Sequence, residues 1–229
     1  MARVLVSFAV VAVLSVLSGC GPGPGPATSG GEPLGAPSVE VMSKGFTVAG
    51  PRGFCVDPAA IRETDEGAFV LLGSCTVISG NPNDAVPNWP AVLTASVAPT
   101  AAPLDDPALD RMAAFFASPD GRAALARTET GGEATVLDLA RADDMVLVHA
   151  EDGAKTGEMA GDYWRAVFTS GGQLVTITVS GFRATPIPAE AGARLARDFA
   201  DAIRRANPAP GASAARGSGG LAAFFNRLL

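Results

Sequence analysis

His149 is the single histidine of the chain, and it is flanked by Asp143, Asp144, Glu151 and Asp152. A serine hydrolase would need it as general base. Yet Ser38, Ser43, Ser74 and Ser96 show no local sign of activation, and no G-x-S-x-G elbow occurs. His149 alternates with Leu147 and Met145, as on a strand, where a lone histidine reads as structural. Paired carboxylates can run glycoside hydrolysis. The two acidic groups, Asp57/Glu63/Asp65/Glu66 and Asp138/Asp143/Asp144, instead have the look of solvated turns. Glu151-Asp152-Gly153 is too little of a calcium loop. Neither G-x-x-x-x-G-K-[ST] nor G-x-G-x-x-G is present. No catalytic residue, metal ligand or cofactor site is therefore expected. The chain leans away from enzymes, with a hydrolase the weakest of three readings.

The remaining reactive side chains are Cys20, Cys55 and Cys75. Cys20 closes a segment with a positive start at Arg3 and an apolar run from Val4 to Leu17, the layout of a secretory signal. As a helix rising about 1.5 Å per residue the run is roughly 21 Å long, short for a bilayer core about 30 Å thick. Leu17-Ser18-Gly19-Cys20 then resembles the lipobox of bacterial lipoprotein precursors at all four positions. The resemblance implies diacylglyceryl transfer to the Cys20 thiol, cleavage before Cys20 and acylation of the new amine with palmitate-type chains. Two or more such chains anchor stably, at about 0.8 kcal/mol per buried CH₂. In that family an Asp after the cysteine is associated with inner-membrane retention. Gly21 therefore favours the outer membrane, with the body facing the periplasm. With Cys20 acylated, Cys55 and Cys75 are left as a pair, and outside the cytoplasm such a pair is normally oxidised. Their spacing, without a nearby histidine, suits neither zinc nor a redox C-x-x-C. A structural disulfide is expected.

The formal charge is −6, and lysine is confined to Lys44 and Lys155. An acidic chain without basic clusters argues against nucleic acid and polybasic lipid contacts. Segment 21–38, GPGPGPATSGGEPLGAPS, has almost no apolar content and reads as a tether. The expected organisation is a signal over 1–19, lipidated Cys20 and tether over 20–38, one domain over 39–207, a linker over 208–220 and a tail over 221–229. In the tail Leu221, Phe224, Phe225, Leu228 and Leu229 fall at i, i+3, i+4, i+7 and i+8, an apolar helical stripe. A segment that short does not hold a helix alone in water. A partner groove, the membrane surface or its own domain must cover it.

Within the domain, 46–49 and 54–56 read as short strands, and Asp57-Pro58 as a capped turn. Residues 68–79, rich in Val, Leu and Ile, read as a central strand carrying Cys75. Loop 80–90 contains Trp89, a candidate ligand contact, although a tryptophan there is more often a core plug. Residues 91–98 form another strand. Asp106 is expected to cap a helix that begins at Pro107, and 118–121 to start a second short one. Strands follow at 133–141, 145–151, 163–170 and 173–182, the last two joined by Gly171-Gly172. Asp162-Tyr163-Trp164-Arg165 gathers aromatic and cationic groups, and Trp164 is the second candidate ligand contact. Residues 186–207 form the longest helix, with Ile187, Ala191, Leu195, Phe199 and Ile203 on one face. The order predicts an α+β fold: an antiparallel sheet packed by helices, one of them long and C-terminal. An architectural alternative, carried by no motif, is the antiparallel sheet sandwich to which PsbP-like proteins are similar. Function is expected to be non-catalytic, through protein contacts or as a structural element of the envelope, with binding of a small ligand as the alternative.

Overall fold

A computed structural model describes residues 35–43, 45–100, 102–127, 133–142, 144–152 and 157–208. Cys20, the lipobox, tether residues 20–34 and the tail with Leu221, Phe224, Phe225, Leu228 and Leu229 lie outside the described residues. The last tether residues belong to the domain instead, because the Ala36 and Pro37 carbonyls accept from the Val56 and Gly50 N–H groups and Ser38 opens the first strand. In chain order the elements are strands β1 (Ser38–Val41), β2 (Phe46–Ala49), β3 (Phe54–Val56), β4 (Arg62–Thr64) and β5 (Gly67–Ser74), then helix α1 (Cys75–Ser79) and strand β6 (Ala91–Pro99). Helices α2 (Asp106–Ala117) and α3 (Pro119–Leu125) follow, then strands β7 (Thr135–Ala142), β8 (Met145–Glu151), β9 (Met159–Ser170) and β10 (Gln173–Phe182), and helix α4 (Ala189–Ala206). The class is α+β.

Eight strands make one sheet in the order β3-β5-β6-β10-β9-β8-β7, with β4 also on β5; β1 and β2 pair separately. Every neighbouring pair is antiparallel. One face carries Leu72, Leu93, Leu147, Phe168 and Ile177 under Ala196, Phe199 and Ile203 of α4 and Val41, Phe46 and Val48 of the small hairpin. The opposite face carries Val146, Val148, Tyr163 and Val167 under Leu109 and Phe116 of α2 and Leu125 of α3. β8 is thus covered on both sides and is buried from Met145 to Ala150. β6 keeps the alternation of a half-covered strand: Leu93, Ala95 and Val97 are buried, while Thr94 and Ser96 are not.

The hairpin between β9 and β10 turns at Gly171 and Gly172, with φ of 54° and 76°. Both values lie in the left-handed region that a two-residue turn of this kind needs, and Ser170 pairs with Gln173. Three expected boundaries are corrected. The strand expected over 68–79 ends at Ser74, and Cys75 is the first residue of α1. Gly80, at φ 72°, closes that short helix by donating its N–H to the Thr76 carbonyl at 3.2 Å. Helix α2 is capped one residue earlier than expected: the Asp105 carboxylate accepts from the Ala108 N–H at 2.8 Å, which draws Asp106 into the first turn. α4 begins after Pro188 rather than at Pro186. Its C-cap Asn207 bonds to both the N–H and the carbonyl of Thr47 on β2, at 2.8 and 2.7 Å.

Candidate functional site

A groove of about 600 Å³ runs between α4 and the loops at 51–54 and 86–89. One strip of α4 supplies Arg194, Leu195, Asp198 and Arg205 to it, residues that recur at helical spacing. The facing wall comes from Arg52, Phe54, Val86 and Trp89. Phe54 is buried beneath the groove, whereas Trp89 is 38% exposed at its edge.

The loop wall is held in place. Asn81 and Ser79 both donate to the Asp84 carboxylate, at 2.9 and 2.5 Å. Gly53, at φ +88°, lies so close below this loop that a Cβ there would come within 2.6 Å of the Pro87 nitrogen. The Gly53 carbonyl accepts from the Cys75 N–H at 2.9 Å. Beside it a disulfide joins Cys55 on β3 to Cys75, with Cα atoms 4.7 Å apart. The pair expected from the sequence is therefore formed. It ties β3 to the start of α1 rather than to the body of a strand.

Trp164 is not brought to the groove. It is 6% exposed, in the core under α4. Its indole stacks on His149, with ring centroids 4.4 Å apart and planes inclined by 8°. The other neighbour is Gly192 of α4, where a Cβ would meet the indole at 2.4 Å. His149 Nε2 lies 2.9 Å from Asp162 Oδ2, and the residue is 8% exposed. Cross-strand pairing sets His149 between Asp138 on β7 and Trp164 on β9. The histidine and the tryptophan are thus one packed unit of the core. No family model, curated protein or solved structure matches the chain.

A second polar cluster lies under α3 on the opposite face. Arg127 grips the Asp152 carboxylate with Nε and Nη2, each bond 2.9 Å long. It also donates to the Ala160 and Gly161 carbonyls at 3.1 and 2.8 Å. Tyr163 lies beneath two guanidinium groups, Arg127 at 4.4 Å and Arg165 at 5.3 Å from the ring centroid. The Tyr163 hydroxyl donates to the Leu125 carbonyl. Burial pushes the Tyr163 phenol above its ordinary range, against the pull of Arg165 and Arg127. Burial likewise lowers the Arg165 guanidinium. Sequence spacing gave no sign of the Arg127–Asp152 pair, which is 25 residues apart. The Tyr163-Trp164-Arg165 run did mark the neighbourhood. Among the described residues no three His, Cys, Asp or Glu side chains converge as metal ligands, and no helix is long and apolar enough to cross a membrane.

Proposed function

We propose that this chain is a lipid-anchored protein of the bacterial cell envelope that acts by contact rather than by catalysis. In this reading Cys20 holds it in the outer membrane in preference to the inner, with the domain facing the periplasm. The observation that carries the reading is the Cys55–Cys75 disulfide, a bond that persists in oxidising compartments. It agrees with the compartment that the Leu17-Ser18-Gly19-Cys20 motif implies. The engagement of His149 by Trp164 and Asp162 supports a structural role for the histidine most suited to acid–base work. Helices on both faces of one antiparallel sheet support the PsbP-like sandwich as the finer description, with α4 as its long C-terminal helix.

In this reading the protein meets an envelope partner through Leu221, Phe224, Phe225, Leu228 and Leu229. Crosslinking in cells followed by mass spectrometry tests this, with and without residues 221–229. A partner captured by the full chain and lost on deletion is the expected result; an unchanged set of crosslinks would remove the tail from the account. The groove at Trp89 favours a second reading, a small-ligand-binding domain.

A further inference from the structure

We infer that the groove between α4 and the 86–89 loop binds an anionic amphiphile, a phosphate or carboxylate group carrying an apolar moiety. The inference rests on the small-ligand reading and specifies its ligand.

Charge is the first argument. The chain carries −6 overall, yet Arg52, Arg194 and Arg205 line one groove against a single carboxylate, Asp198. Among the described residues Arg122, Arg127, Arg141 and Arg204 each hold a carboxylate within ion-pair distance, while Arg52, Arg194 and Arg205, like several other surface arginines, do not. Three cations gathered against one carboxylate leave the groove net positive, and a bound anion relieves the remaining repulsion. The guanidinium fork matches the paired oxygens of phosphate and carboxylate.

The second argument is the apolar part. Half-buried Leu195 forms part of the α4 wall, and Trp89 exposes its ring at the rim; Phe54, buried, packs beneath them. Inorganic phosphate would leave this surface uncovered. A volume of about 600 Å³ falls within the range of roughly 300–1,000 Å³ that accommodates small ligands. The third is rigidity. Gly53 beneath Pro87 and the bonds to Asp84 fix the loop wall, so that little ordering opposes binding.

The test is calorimetric titration of the full chain in phosphatidylcholine nanodiscs, with empty nanodiscs as blank. The probes are dihexanoyl phosphatidate, its uncharged counterpart dihexanoylglycerol, and inorganic phosphate. Saturable one-site binding of the phosphatidate alone is expected, weakened roughly tenfold or more by Arg194→Gln and by Arg205→Gln. Both residues are exposed, and unchanged thermal unfolding of the variants shows that folding is not what changed. Weakening by Trp89→Ala identifies the apolar contact. Equal affinity for dihexanoylglycerol, or phosphatidate binding indifferent to both arginine variants, would overturn the anionic assignment and leave the small-ligand reading standing. Equal affinity for inorganic phosphate would make the site one for a free anion and overturn the amphiphile. No saturable heat from any probe would overturn the inference and the small-ligand reading together.

Discussion

Tyr163 lies beneath the Arg127 and Arg165 guanidinium groups, with its hydroxyl on the Leu125 carbonyl. Burial dominates the two cations and raises the phenol. A phenol with a raised folded-state value contributes stability below its unfolded value, near 10. That contribution is lost as pH rises from there through the folded value. Tyr163 is the sole tyrosine, so tyrosinate absorbance follows it without assignment. The expected titration has a midpoint above 10 in the folded chain, with unfolding accompanying it; a midpoint at the free-tyrosine value would contradict the packing. Asp152 is the second test at this scale. Its side chain is 4% exposed and it neutralises Arg127. Asp152→Asn leaves that guanidinium buried without its counter-charge, an expected loss of about 3 kcal/mol in urea unfolding. A loss below about 1 kcal/mol would mean that water reaches the pair. Alternation with Met145 and Leu147 made the strand position of His149 legible, but the different exposure of the two tryptophans was not. Trp89 lies in a loop and Trp164 on a strand, but what the fold lays over each is set by tertiary packing, which no local pattern carries.

At the scale of elements, the turns were the legible part, and the helix starts only to within a turn: the α2 cap is Asp105 rather than Asp106, and α4 starts after Pro188. Gly171-Gly172 fixed the β9–β10 hairpin because only residues tolerant of positive φ close so short a loop. The break between β5 and α1 was not legible. In Leu71-Leu72-Gly73-Ser74-Cys75-Thr76-Val77-Ile78 apolar residues continue on both sides of Gly73-Ser74, with β-branched Thr76, Val77 and Ile78 favouring a continued strand, so the pattern does not change where the backbone does. What ends the strand is tertiary: the Cys75 N–H donates to Gly53, and its sulfur bonds to Cys55. The α4 interface offers a decisive substitution. Gly192→Ala gains about 1 kcal/mol in helix propensity. It also drives a methyl into an indole that is stacked on His149, and overpacking costs about 1–3 kcal/mol. A net destabilisation of roughly 1–2 kcal/mol is expected from the urea midpoint. A stabilised variant would show that Trp164 has room to move.

Over the whole molecule, the two faces of the sheet have separate tasks. One buries the larger core under α4, and the outer side of that same helix borders the groove. The other buries the Arg127–Asp152 cluster under α3. The antiparallel α+β class followed from strand and helix periods alone. The groove did not, because Arg52 and Trp89 meet the Arg194–Arg205 strip only through tertiary folding. The central claim is that this domain is held at a bilayer through one acylated sulfur. Intact-mass analysis of the native chain purified from bacterial membranes tests it most directly. The account predicts a product that begins at Cys20 and carries a diacylglyceryl group and an amide-linked acyl chain. A product with an unmodified Cys20, or one that retains residues 1–19, would contradict it.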